Sequence, residues 1–131
     1  MVIAKTALQT TPEERAGYRV GEAIERHRLA GLEAAQERWR LARHVAGDAA
    51  LLLKQEFSAR RVAVFGSAAR PETFTPWSDL DLAVWGIPPA RFYAAVAAVS
   101  ETNSMIGVDV VDPEHCGARL RAAIEGSCVD V

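Results

Sequence analysis

Two aspartates spaced two residues apart are the residues in this sequence whose type and spacing most clearly point to chemistry. Asp79 and Asp81 lie in the segment SDLDL. Side chains alternate between the two faces of a strand, so both carboxylates should point to one face and their apolar neighbours to the other. Adjacent carboxylates repel each other, and a divalent cation removes that repulsion. Oxygen-only ligands favour a hard ion such as Mg²⁺ or Mn²⁺ over zinc.

A third carboxylate, Asp109, interrupts the apolar segment VDVVD. A lone charge in a buried strand is costly unless it is paired or bound to metal. We therefore expect Asp109 to join Asp79 and Asp81 if the two strands are neighbours. The alternatives are a cap and a surface acid for the first pair, and a partner of a buried arginine for Asp109. Asp112 is the rival third acid, but its position before Pro113 is better explained by helix capping.

A Gly-Ser pair, Gly66 and Ser67, lies upstream of these acids at the end of a predicted strand. Glycine lets the backbone approach a ligand closely. If Ser67 opens a helical turn, its hydroxyl and the free N–H groups face the same space, which suits a phosphate. The alternative is a plain tight turn. Arg70 could contact a triphosphate or pair with a nearby acid. This turn, three carboxylates and bound Mg²⁺ would make a site for phosphoryl or nucleotidyl transfer.

Short strands and helices alternate in the second half of the chain and must position these residues. The predicted strands are 61–65, 80–85, 106–111 and a terminal edge strand at 129–131, and the predicted helices are 89–102 and 113–126. This order predicts an α/β or α+β domain in which helices flank a small mixed sheet.

The first half of the chain predicts a long helix. Thr11 and the Pro-Glu-Glu that follows it form a start signal. Apolar or small residues then recur at steps of three or four: Leu32, Ala35, Trp39, Ala42, Ala46, Ala49, Leu53 and Phe57. An unbroken helix over 12–57 would be about 70 Å long, so one alternative is that the helix bends or splits at Gly47-Asp48. Otherwise, part of the helix should project and need a partner.

We expect a helical extension over residues 1–54 and a catalytic domain over 55–131. The basic residues of the extension predict a solvated helix face: Arg38, Arg40, Arg43 and His44. The chain carries a net charge of −2, which disfavours a protein that binds nucleic acid directly through its phosphates. There is no signal-peptide pattern and no apolar run long enough to span a membrane. Two cysteines without zinc spacing predict reduced thiols in a cytoplasmic protein.

The motifs GSAAR, SDLDL and VDVVD, in this order and spacing, resemble the minimal nucleotidyltransferase (MNT) family of the DNA polymerase β-like nucleotidyltransferase superfamily. The resemblance covers about residues 55–131. It implies a nucleotidyltransferase fold and an enzyme that moves AMP from ATP to a hydroxyl with two Mg²⁺ ions. The catalytic and metal-binding residues it implies are Asp79, Asp81 and Asp109, and the nucleotide-binding residues are Gly66, Ser67, Arg70 and Ser78.

The resemblance also implies a partner. Many small members of the family are antitoxins encoded beside a HEPN-type ribonuclease toxin, and they adenylylate a tyrosine of that toxin or bind it. The alternative is a non-catalytic interaction protein, since the long helix with Trp39 and Leu53 favours a partner or a homo-oligomer. A third hypothesis is transfer to a small molecule such as an aminoglycoside, although such enzymes usually carry an additional substrate domain.

Overall fold

The computed structural model describes residues 11–131 as a mixed α+β protein. Its elements are helix α1 (Pro12–Phe57), strand β1 (Arg61–Phe65), strand β2 (Leu80–Trp85), helix α2 (Pro89–Glu101), strand β3 (Val108–Val111), helix α3 (Ala118–Ser127) and strand β4 (Val129–Asp130). Two short 3-10 turns, Gly66–Ala69 and Pro71–Thr73, lie between β1 and β2. Within the described range, no helix has the length and hydropathy needed to cross a bilayer. The expectation about a signal peptide falls on residues before 11 and lies outside this range.

The four strands form one sheet in the order β3-β2-β1-β4. Strand β1 is antiparallel to both β2 and β4, whereas β2 and β3 are parallel. Helix α2 makes the crossover that a parallel pair requires. The predicted mixed sheet flanked by helices is therefore confirmed, with β4 as the predicted edge strand.

Helix α1 begins as the sequence predicts and runs without a break. The hydroxyl of Thr11 accepts a hydrogen bond from the backbone N–H of Glu14 at 3.1 Å, which caps the first turn. The helix continues through Gly47 and Asp48, so of the two alternatives the break there is wrong. Glycine costs only about 1 kcal/mol in a helix. Burial of the adjacent Ala46 and Ala49, both 0% exposed, outweighs that cost.

The hydrophobic core lies between one face of the sheet and the helices α1 and α2. Apolar side chains of the strands alternate onto this face, namely Val62, Val64, Leu80, Leu82 and Val84. Residues 42–57 of α1 pack against them with the predicted spacing, and Leu53 is completely buried. The compact unit that holds this core begins at Ala34. The predicted domain boundary between residues 54 and 55 stays a prediction.

The segment after β3 differs from the prediction. Helix α3 begins at Ala118, so Asp112 does not cap it. Asp112 instead closes a preceding turn, because its carboxylate accepts from the N–H of Glu114 at 2.9 Å and bonds the Nδ1 of His115 at 2.7 Å. An aspartate before proline favours a local turn as readily as a helix start. Its side chain is thus engaged in this turn.

We predict that Leu53→Ala lowers the free energy of unfolding by about 2–5 kcal/mol, because the substitution leaves a cavity in a buried position. Urea denaturation measures the change. Leu51→Ala is the matched control, since Leu51 lies on the same helix and is 58% exposed, and it should change stability by no more than about 0.5 kcal/mol. Equal losses in the two variants would contradict the described packing of α1.

Candidate active site

Asp81 and Asp109 lie directly opposite each other on neighbouring strands. Asp81 is in β2, Asp109 is in β3, and the parallel register pairs their Cα atoms. Partners in register point to the same face of a sheet. On the other side of β2, Phe65 at the end of β1 is the antiparallel partner of Asp81. The two carboxylates therefore share the sheet face opposite the core residues Leu80 and Leu82.

Asp79 lies immediately before β2, and its carboxylate packs against the Cα of Gly107. The N–H of Leu80 donates to the carbonyl of Gly107 at 2.9 Å, which fixes the backbone beside Asp79. A Cβ atom on Gly107 would lie 3.1 Å from Cγ of Asp79. The absence of a side chain at Gly107 therefore leaves space for the carboxylate of Asp79. Sequence reasoning missed Gly107, and its place just before the strand that carries Asp109 was the available signal.

The three carboxylates form one electrostatic cluster. Burial raises the pKa of Asp81 above its ordinary value, and the negative charges of Asp109 and Asp79 raise it further. Among residues 11–131, no three or more His, Cys, Asp or Glu side chains come together so that they could hold a metal ion as they stand. By its chemistry, the donor set of Asp79, Asp81 and Asp109 fits a hard divalent cation, because all three are carboxylates and positive charge relieves their mutual repulsion.

The Gly-Ser turn passes directly beside the cluster. Gly66 has a φ of +65°, a conformation that glycine adopts without strain. A Cβ atom here would lie only 2.8 Å from Oδ2 of Asp81, so any other residue would strain the backbone and displace this carboxylate. Ser67 follows in the 3-10 turn, whose first N–H groups have no acceptor within the turn. The indole of Trp39 in α1 holds this turn by donating to the carbonyl of Ala68 at 3.2 Å.

The remaining nucleotide-binding candidates lie in the connection between β1 and β2. Arg70 is exposed, and its guanidinium forms no ion pair with any carboxylate of the described chain. The hydroxyl of Ser78 bonds the backbone N–H and the hydroxyl of Thr75, both at 2.9 Å. Ser78 therefore shapes the loop that delivers Asp79 to the sheet.

Arg38 is a site residue that sequence reasoning did not identify. Its Nε donates to the carbonyl of Ser78 at 2.7 Å, and its Nη2 lies 3.4 Å from Oδ1 of Asp79. The side chain is only 24% exposed, so the expected solvated basic face is wrong for this residue. Arg43 on the same helix lies over the ring of Trp39, 5.8 Å from its centroid. Helix periodicity alone gave no signal for these partners.

Trp85 lies at the other end of β2 from the acids. The guanidinium of its antiparallel partner Arg61 stacks on the indole, 4.3 Å from the ring centroid. Trp77 precedes the acids and is 83% exposed.

Comparison with known proteins shows the family. The family model of the nucleotidyltransferase domain matches residues 49–125, which is more than half of the chain. This chain belongs to the nucleotidyltransferase domain family. A solved structure described as a candidate minimal nucleotidyltransferase is 28% identical, with a TM-score of 0.50, and the match covers 77% of this chain and 96% of that chain. None of the curated proteins matches the sequence significantly.

The nucleotidyltransferase match contains the Gly-Ser turn and all three acids but begins within α1. Arg38 and Trp39, which contact Asp79 and the turn, precede residue 49. The compact unit, in contrast, begins at Ala34. The nucleotidyltransferase domain of this protein therefore uses residues 34–48 to support its site.

We predict that Asp81→Asn raises the melting temperature at pH 7. The folded-state pKa of Asp81 is raised, so its charged form destabilises the fold above that pKa. This cost is relieved as the pH falls through the raised pKa towards the ordinary value of an aspartate. The increase in melting temperature should therefore be largest at neutral pH and small near pH 4. Thermal unfolding across this range measures the effect, with Glu33→Gln, at an exposed position of α1, as the control.

Proposed function

We propose that this nucleotidyltransferase transfers AMP from ATP to a protein hydroxyl with the help of Mg²⁺. The observation that carries the proposal is the register of Asp81 with Asp109, because it brings acids from two strands to one place. Asp79 joins them, and the turn at Gly66 runs past the same cluster. A triphosphate cradle beside a cation site is the arrangement that nucleotidyl transfer needs.

Each group has a role in this proposal. Asp79, Asp81 and Asp109 would hold the cation, and the backbone at Gly66 and Ser67 would receive phosphate oxygens. When bound, Mg²⁺ supplies positive charge that neutralises the triphosphate and the leaving pyrophosphate. The acceptor oxygen forms a bond to the α-phosphorus while the bond between that phosphorus and the pyrophosphate oxygen breaks. Asp109 is exposed and could accept the proton of the attacking hydroxyl.

The positive groups around the site support a triphosphate as the ligand. Arg70 lies directly after the Gly-Ser turn and has no carboxylate partner in residues 11–131, which leaves its guanidinium available to an anion. Arginine recognises phosphate oxygens through paired N–H donors. The choice of ATP rather than another nucleotide rests on the resemblance to the minimal nucleotidyltransferases.

We further propose that the acceptor is a tyrosine of a HEPN-type toxin and that the protein acts as an antitoxin in the cytoplasm. The resemblance supports this partner, and so does the surface of α1 before residue 34. Large apolar side chains there are at least 46% exposed: Tyr18, Val20, Ile24, Leu29 and Leu32. Exposed apolar surface is typical of interaction sites. The same observation favours the second candidate function, neutralisation by binding without catalysis.

We predict that Asp81→Asn and Asp109→Asn each reduce AMP transfer on the order of 100-fold or more, because each removes a carboxylate that would hold the cation. Labelled ATP, Mg²⁺ and the protein encoded by the adjacent gene make up the assay. Asp112→Asn is the control, since Asp112 bonds its own turn, and it should keep its activity. Absence of labelling by the wild-type protein, or equal labelling by all variants, would contradict the catalytic proposal.

A rescue experiment separates the two candidate functions. If catalysis silences the partner, co-expression of Asp81→Asn should fail to relieve the toxicity that wild-type protein relieves. Undiminished rescue by this variant would favour neutralisation by binding. Western blotting of both proteins checks that expression is equal.

A further inference from the structure

Arg38 joins helix α1 to the acidic cluster through two contacts of unequal strength. The bond from Nε to the carbonyl of Ser78 is short, at 2.7 Å, whereas the contact between Nη2 and Oδ1 of Asp79 is long, at 3.4 Å. The Asp79 side chain is 56% exposed. The guanidinium thus bonds the carbonyl of Ser78 firmly, and its contact with the carboxylate of Asp79 is weak.

The backbone on both sides of Asp79 is held without Arg38. On one side, Ser78 donates its N–H to the carbonyl of Thr75 at 3.2 Å and accepts the Thr75 N–H on its hydroxyl at 2.9 Å. On the other side, Leu80 bonds the carbonyl of Gly107 at 2.9 Å. Arg38 therefore adds a positive charge at a place where the backbone on both sides of Asp79 has other hydrogen bonds.

The positive charge of Arg38 lies beside the three carboxylates Asp79, Asp81 and Asp109. Asp81 lies in register with Asp109 on the neighbouring strand, and Asp79 precedes Asp81 by two residues, so three negative charges are close together. Within residues 11–131, Arg38 is the basic residue that forms an ion pair with one of the three acids. The Nη2 of Arg38 lies 3.4 Å from Oδ1 of Asp79, so its charge is beside the acidic cluster.

We propose that Arg38 is a placeholder for the divalent cation. In the cation-free protein, its guanidinium offsets the charge of Asp79. When Mg²⁺ binds, the contact with Asp79 is released while the bond to Ser78 keeps the arginine beside the site. The proposal rests on the cation site of the proposed function. Under this proposal, Arg38, which lies in α1 before the family match begins, lowers the affinity of the site for the cation.

Charge-removing and charge-conserving variants test the proposal. Arg38→Gln should bind Mg²⁺ roughly three- to tenfold more tightly than wild type, since a unit positive charge a few ångströms from the cation is removed. Arg38→Lys should stay within about twofold of wild type, because the charge is conserved. Isothermal titration without nucleotide measures both. Arg40→Gln is the matched control, as Arg40 is exposed on the same helix. The Mg²⁺ affinity of this variant should equal that of the wild type.

Thermal unfolding gives a second readout. Without Mg²⁺, Arg38→Gln should melt at a lower temperature than Arg40→Gln, because the acidic cluster has lost its counter-charge. Saturating Mg²⁺ should narrow that difference. Weaker or unchanged Mg²⁺ binding by Arg38→Gln overturns the placeholder role, as does a difference in melting temperature that Mg²⁺ leaves unaltered.

NMR of the wild-type chain keeps the test independent of whether the variants fold. On addition of Mg²⁺, rotation of the Nη groups of Arg38 should accelerate while its Nε–H signal stays in place. An unaltered Nη signal in a protein that binds Mg²⁺ overturns the placeholder role but leaves the proposed function standing. A wild-type protein that binds no Mg²⁺, with or without ATP, overturns both.

Discussion

Repulsion among three carboxylates is the constraint on which the site depends. The pairing of β2 with β3 places Asp81 against Asp109, and the loop before β2 brings Asp79 beside them. The surrounding backbone keeps open the space that these charges need, with glycine at 66 and at 107 where any Cβ would crowd a carboxylate. A fold that maintains such an arrangement accepts a cost in stability, which positive charge from an arginine or a divalent cation can offset.

The two faces of the sheet have different roles, since one forms the hydrophobic core and the other carries the acids. One face carries the aliphatic residues of β1 and β2 that form the hydrophobic core with α1 and α2. The other face carries the acids beside the Gly-Ser turn. Helix α1 serves both faces, because Leu53 lies in the core while Arg38 and Trp39 contact the site. Folding of this helix and assembly of the site are therefore coupled.

Membership of the nucleotidyltransferase domain family establishes the general chemistry of this chain. Fold and family alone do not define an acceptor. The finer proposals depend on features particular to this molecule, above all the exposed apolar residues of α1 and the arginine that the same helix brings to the acids.

Local signals in the sequence were sufficient for the strands, the crossover helix, the start of α1 and the sheet face that Asp81 shares with Asp109, because strand alternation and capping act over a few positions. Tertiary structure decided the rest. The continuity of α1 at Gly47 depends on burial of neighbouring alanines, and the carboxylate of Asp79 faces Arg38, forty-one positions earlier. Which side chains meet across such distances depends on how helix and sheet pack, and no periodicity within a single element encodes that meeting.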